Sequence, residues 1–261
     1  MENCGSNPTP YLCRNLWIVA DSILVHLCSM VRRLLKSILG LNAQSENVTK
    51  LPKVDLAILF PEFKSHLRLM EAASVNGNVT IYELFAISFA ASACAPTTVF
   101  EVGTFDGRTT LNLAVNCPST TRIFTLDLPA SGLLTTKFPL EEYDKGYVEK
   151  QKSGTRFEDK PEGQGITQLL GDSGKFDFAP YFNTIDFVFV DGSHAYDYVL
   201  NDSMIALKLL RNGRGTILWH DYGNACWPGV ARALDELWST NPQFCELKHI
   251  QDTTIACLRV C

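Results

Sequence analysis

The stretch Val99–Thr110, VFEVGTFDGRTT, constrains this chain more than any other. Apolar Val99, Phe100 and Val102 lead into Gly103, three residues separate it from Gly107, and a polar run then enters Leu111, Leu113 and Ala114. This order reads as strand, tight glycine turn and helix. A helix that begins directly after a strand leaves its first backbone amides unpaired, and those amides, with the helix dipole, hold an anionic or polar group. Glycine at 103 and 107 lets the backbone approach a ligand without a Cβ in the way. Glu101 falls at the carboxyl end of the strand, the edge at which open α/β sheets bind ligands. The Gly-x-x-x-Gly spacing departs from the Gly-x-Gly-x-x-Gly of dinucleotide folds and disfavours a nicotinamide-cofactor domain. Taken alone, the stretch is also readable as a plain strand-to-helix turn.

The residues that follow repeat the pattern. Apolar runs at 97–103, 122–128, 166–170, 185–191 and 215–220 alternate with helical patterns at 107–116, 195–211 and from Pro228 to about Ser239. Runs this continuous suit strands covered on both faces of a mostly parallel sheet. Residues 243–249 and 254–260, with Gln251–Asp252 between them, read as a closing hairpin. Residues 129–165 break the rhythm: they are polar, rich in Gly, Lys and Glu, and too long for an ordinary connection. Insertions of this kind beside a ligand edge act as lids or binding loops.

The N-terminal part is organised differently. Between Leu16 and Leu39, polar residues fall at Asp21, Ser22, His26, Ser29, Arg32, Arg33, Lys36 and Ser37, with apolar residues between and Gly40 as the stop. That is an amphipathic helix with a wide apolar face. The polar stripe interrupts the run of about 20 apolar residues that a membrane span requires. A signal peptide fits worse, because the basic residues follow the apolar part. The leading expectation is a helix packed on the domain or on a second copy of the chain; the next is a helix lying on a membrane surface. Residues 42–53 read as a polar linker, Leu56–Phe60 as an apolar stretch, and Pro61 as the opening of a helix to about Ser74. After a turn at Asn76–Gly77–Asn78, Thr80 and Glu83 form a capping box for a buried helix that ends before Pro96. The expected organisation is therefore a helix and linker over 1–50, a helical cap segment over 51–96, and a main domain over 97–261 with its insertion at 129–165.

Charge and cysteine content narrow the function classes. A net charge of −5 without a long basic run excludes a nucleic-acid footprint. None of the 9 cysteines forms a Cys-x-x-Cys pair, which argues against structural zinc, and their odd number at apolar positions fits reduced thiols in a cytoplasmic protein. Peripheral membrane association would follow only from the N-terminal helix.

Polar residues collect at the carboxyl ends of the expected strands. Glu101 ends the first and Asp127 the second, where a carboxylate is placed either to accept the hydroxyls of a ribose or to sit exposed in a turn. Gly171–Asp172–Ser173 ends the third, Asp191–Gly192–Ser193–His194 the fourth and His220–Asp221–Tyr222 the fifth. Asp191 and Asp221 follow buried strands and make an oxygen site for Mg²⁺ or another divalent ion. His220 reads as a core or supporting histidine. His194, three residues past Asp191, reads as a proton acceptor or as a simple helix cap.

Together these residues resemble the class I S-adenosylmethionine (SAM)-dependent methyltransferases. EVGTFDGRTT is similar to the cofactor loop of the catechol and caffeoyl-CoA O-methyltransferases. FVFVDGSHAYDYVLNDSMIALKLLRNGRGTILWHDY, with PGVARALDEL after it, resembles more closely the macrocin O-methyltransferase and cephalosporin hydroxylase-like family. The resemblance spans about 97–260 with a gap at 129–165. It implies an α/β, Rossmann-like three-layer sandwich: a mostly parallel seven-stranded sheet with a C-terminal antiparallel hairpin and N-terminal helices. It further implies that Gly103 and Gly107 border the methionine moiety of SAM, Glu101 its amino group, Asp127 the ribose and Asp172 with Ser173 the adenine edge. Thr104 and Asp191 join that cofactor-binding set, Asp191 and Asp221 match metal-ligand positions, and His194 stands where the catechol enzymes carry a catalytic lysine. The expected activity is methyl transfer to a small hydroxylated molecule, assisted by a divalent cation. A hydroxylase-like use of the same metal site and a non-catalytic cofactor-binding scaffold are the alternatives.

Overall fold

The structure, a computed structural model, describes residues 49–63, 66–149 and 152–260. The amphipathic segment Leu16–Leu39 lies outside the described residues. Among those described, no helix is long and apolar enough to cross a membrane.

Eight strands form one sheet: β1 (Lys53–Val54), β2 (Thr98–Val102), β3 (Arg122–Asp127), β4 (Ile166–Leu170), β5 (Phe187–Val190), β6 (Gly215–Trp219), β7 (Lys248–Ile250) and β8 (Ala256–Val260). Their order is β1-β7-β8-β6-β5-β2-β3-β4. Only β8 runs against its neighbours β6 and β7. The chain steps outward from β2 through β3 to β4, then returns to β5 and β6 on the other side of β2. The direction of winding therefore reverses between β2 and β5, and a crevice opens at their carboxyl ends.

The Rossmann-like architecture is the one expected, with one strand more than the seven foreseen. The extra strand is β1, from the end of the supposed linker, where Lys53 and Val54 pair in parallel with His249 and Ile250. Pairing there covers the otherwise open edge of β7. In return, β7 is shorter than the run 243–249 suggested, because Pro242–Phe244 form a 3₁₀ turn in front of it.

The sheet is dressed on both faces by α1 (Leu56–Leu59), α2 (Ile81–Cys94), α3 (Arg108–Asn116), α4 (Glu142–Val148), α5 (Tyr196–Leu209) and α6 (Pro228–Thr240). Strand alternation divides the core in two. Val99, Phe187, Phe189 and Leu218 pack with Leu84, Ile87 and Ala91 of α2 and Leu113 of α3. Phe100, Val188, Val190 and Trp219 pack with Val199 and Leu209 of α5 and Val230 and Leu234 of α6. The start of α2 carries the expected capping box: Thr80 accepts from the Glu83 amide, and the Glu83 side chain accepts from the Thr80 amide.

The helix expected from Pro61 to about Ser74 is absent among the described residues, and only the single turn of α1 precedes Pro61. Side chains of α3 take the place of helical hydrogen bonds. Asn112 Oδ1 accepts from the Met70 amide at 2.8 Å while its Nδ2 donates to the Met70 carbonyl at 3.0 Å. Asn116 makes the same pair of bonds with Arg68 at 3.0 and 2.8 Å. The buried Arg108 guanidinium donates to the carbonyls of Glu71, Ala72 and Val79. An asparagine side chain here acts as a backbone surrogate, pairing one residue of the strap as a neighbouring strand would.

Asn112→Ala is expected to lower stability by about 1–3 kcal/mol, because it removes both bonds from a buried side chain to the half-buried Met70 amide and carbonyl. Urea denaturation of the full chain checks this. An unchanged midpoint would mean that the strap does not depend on the asparagine.

Candidate active site

The glycine turn after β2 is forced by its neighbour. The Gly103 amide donates to the Leu126 carbonyl and the Asp191 amide to the Val102 carbonyl, each at 2.8 Å, so the ends of β2, β3 and β5 are tied together. Gly103 has φ +96°, and a Cβ there would fall 1.9 Å from the Asp191 carbonyl oxygen. Gly107 has φ +85° and caps α3, and a Cβ on it would meet the Phe157 ring at 2.5 Å. The two glycines thus have different tasks. Gly103 borders the cavity at the carboxyl edge, about 330 Å³ in volume, whereas Gly107 does not line it and lies under Phe157 of the insertion.

Of the other expected cofactor residues, Asp127, Asp172, Ser173 and Asp191 line this cavity. Glu101 and Thr104 do not; both are buried behind it. Thr110 and Thr125 donate their hydroxyls to Glu101 Oε2, and Thr104 shares a 2.7 Å hydroxyl contact with Thr125. Glu101 Oε1 has no hydrogen-bond partner among the described residues. Complete burial pushes the Glu101 carboxyl up to about 8; the two hydroxyls oppose this, and the nearby negative charges of Asp191 and Asp127 add to it. Asp172 already accepts from the Lys137 amide, the Gly174 amide and the Tyr198 hydroxyl, and Ser173 donates to Asp202 at 3.1 Å.

Beyond the cofactor side, the carboxyl ends of β5 and β6 bring Asp191, His194 and Asp221 together. Each offers a ligating atom, and the three atoms lie within 4.8 Å of one another. Asp221 adopts φ +62°, and Asn224 Nδ2 donates to its Oδ1 at 2.6 Å. His220 lies behind the two carboxylates. Its Nδ1 is 3.1 Å from Asp191 and 3.0 Å from Asp221, and its Nε2 is 3.4 Å from Glu83. His194 is held at both nitrogens, with Nδ1 2.5 Å from Asp144 and Nε2 2.8 Å from Asp221. Its ring stacks on Trp227, with centroids 3.9 Å apart and planes 13° from parallel. Burial pulls the His194 pKa down, but the two carboxylates outweigh it and push it up to about 9.

Residues 100–222 match the family model described as a methyltransferase domain. Over those residues the chain is a methyltransferase domain. A methyltransferase from Podospora anserina, solved with SAH bound, is 16% identical, with 70% of this chain and 80% of that chain aligned at a TM-score of 0.50. The methyltransferase domain shares that fold. The O-methyltransferase of tomaymycin synthesis from Streptomyces achromogenes, solved with SAM, is 17% identical over 70% of this chain and 82% of that chain, with a TM-score of 0.48. An O-methyltransferase from Bacillus cereus, in complex with SAH, is 16% identical over 71% and 84%, also with a TM-score of 0.48. No curated protein matches the chain in sequence.

Three cavity residues of the methyltransferase domain and its flanks escaped the sequence reading: Glu83, Asp144 and Trp227. Glu83 was legible as a helix cap, yet the same carboxylate also accepts from Thr254 and faces His220. Asp144 sits in the polar insertion, where no periodicity marks it. Trp227 carried one signal, an aromatic residue directly before the helix-opening Pro228.

The Glu101 carboxyl supplies a stability test. Its folded pKa, about 8, stands above its ordinary 4.5, so the folded state holds the proton more tightly. The stability it contributes is full below that ordinary value and is lost as the pH rises toward about 8. Urea unfolding between about pH 5 and about pH 8 should therefore show stability falling with pH, and less steeply in Glu101→Gln. Identical slopes in the two proteins would remove Glu101 as the linked group.

Proposed function

We propose that this methyltransferase is a SAM-dependent O-methyltransferase acting on a small hydroxylated molecule. The observation that carries the reading is the convergence of Asp191, His194 and Asp221 in the same cavity as Gly103 and Asp127. Methyl donor and acceptor must meet in line, and one cavity that holds both a glycine loop and an acid–imidazole cluster is suited to that. Asp127, in the cavity wall, would accept from the ribose hydroxyls of the cofactor.

The donor set also fits a divalent cation, which Asp191 and Asp221 would hold with His194 close by. Two carboxylates and an imidazole suit Mn²⁺ or Fe²⁺ as well as Mg²⁺. When bound, such an ion lowers the pKa of a coordinated hydroxyl and offsets the carboxylate charge that keeps His194 protonated. The chain's own residues handle the proton. His194 Nε2 would take the acceptor's O–H proton, freeing the acceptor oxygen to bond the methyl group that the cofactor would supply from its sulfonium, which would be left as a neutral thioether. His220, enclosed by Glu83, Asp191 and Asp221, keeps both aspartates aimed at the cavity.

Calorimetry with SAM should show binding by the full chain, and Asp127→Ala should weaken it by about 1–3 kcal/mol. With a panel of sugars and polyphenols, His194→Ala should lower kcat by about 10²–10⁴ while leaving cofactor affinity near that of the wild type. Absence of SAM binding would overturn the assignment. Full activity in excess EDTA would remove the cation, and wild-type kcat in His194→Ala would remove the base.

A further inference from the structure

The insertion reaches the candidate active site through one buried carboxylate. Asp144 of α4 is 4% exposed. Its Oδ2 accepts from the Ser193 hydroxyl at 2.7 Å and from the His194 amide at 3.0 Å, and its Oδ1 lies 2.5 Å from His194 Nδ1. We propose that Asp144 is the positioning residue for His194, so that the 129–165 insertion completes the proton-handling pair in addition to covering the cavity. This rests on the reading of His194 as the proton acceptor.

The argument is one of tautomers and geometry. A neutral imidazole carries a single N–H; both His194 nitrogens face a carboxylate, and the closer and doubly anchored one, Asp144 at 2.5 Å against 2.8 Å for Asp221, places the proton on Nδ1 and the lone pair on Nε2. Nε2 is the nitrogen that faces Asp221 in the cavity. Rotation of the ring is blocked on its face by Trp227. Rotation of the carboxylate is blocked by the two further donors on Oδ2. Asp144 is itself held from a distance, because the far part of the insertion is tied to the cofactor loop. The Gly154 amide donates to the Phe105 carbonyl at 2.9 Å, the Arg156 amide to the Asp106 carbonyl at 2.8 Å, and Arg156 Nε to Asp106 Oδ2 at 2.7 Å. Helix α4 lies in the chain between these ties and the glycine turn's other neighbour, β3.

The full chain, labelled with ¹⁵N in histidine, gives a readout that needs no substrate. The His194 resonances, assigned by their loss in His194→Gln, should show a hydrogen-bonded Nδ1–H in the wild type and lose that signature in Asp144→Asn, which keeps the size of the side chain. In turnover, Asp144→Asn should lower kcat by about 10–100-fold, with acceptor KM and SAM affinity within about twofold of wild type. Asp144→Glu should recover part of the rate and, with circular dichroism, controls for folding. The double variant Asp144→Asn/His194→Ala should be no slower than His194→Ala alone, since a residue acting through another has nothing left to lose. Losses that multiply, or an unchanged His194 signature in Asp144→Asn, would overturn the proposal while leaving His194 as the base. Wild-type kcat in His194→Ala would overturn both.

Discussion

The contact on which the rest of the site depends is the approach of Gly103 to the Asp191 carbonyl. No Cβ fits between them, since it would lie 1.9 Å from the oxygen. Two parallel strands that part at their carboxyl ends normally leave room for side chains. Here β2 and β5 stay tied one residue past the last paired position, through the Asp191 amide and the Val102 carbonyl. That tie holds the glycine turn on one side and Asp191 on the other within a single wall. The glycine turn and the acid cluster then share one cavity without a separate domain to bring them together.

Electrostatics explain why the cluster beside that wall needs two histidines. Glu83, Asp144, Asp191 and Asp221 converge there, and four carboxylates in a mostly buried region repel one another unless positive charge stands among them. His220 contacts three of them and is raised well above its ordinary pKa although burial acts in the other direction. His194 contacts Asp144 and the same Asp221 Oδ2 that His220 meets. The Asp221 carboxyl, correspondingly, is held well below the usual carboxylate range although burial acts in the other direction. The two imidazoles differ in what surrounds them. His220 has acids at both nitrogens on the protein side, so it is spent on holding the site together. His194 is anchored at Nδ1 by Asp144, whereas its Nε2 contacts Asp221 in the cavity wall, so Nε2 is the nitrogen that a ligand engaging Asp221 would meet.

Legibility in the sequence followed the range of the interactions responsible. The five parallel strands from β2 to β6 were readable because burial on both faces writes itself as an unbroken apolar run, as in FVFV at 187–190. The α2 boundary was readable because Thr80 and Glu83 are three residues apart and cap each other locally. The strap at 66–75 was not, because its conformation is set by Asn112 and Asn116, 42 and 48 residues further on. The same holds within the site. Asp191, His194 and Asp221 stand at strand ends, where topology alone announces them. Asp144 meets His194 across 50 residues, and nothing in EYDKGYV distinguishes it from a solvated acid.

Glycine spacing illustrates the limit of motif reading on its own ground. Gly103 and Gly107 look equivalent in sequence, two glycines flanking a turn beneath a ligand. In the fold both have positive φ, yet one is demanded by a strand end and the other by an aromatic ring from the insertion. Phe157, itself 7% exposed, seats on Gly107 while Gly154 and Arg156 bond the loop backbone on either side. The glycine turn is thus a two-sided element, with a cavity face next to β5 and an outer face that docks the insertion. The insertion seated on the glycine turn is the same one that carries Asp144 to His194, so it packs against both halves of the cavity wall.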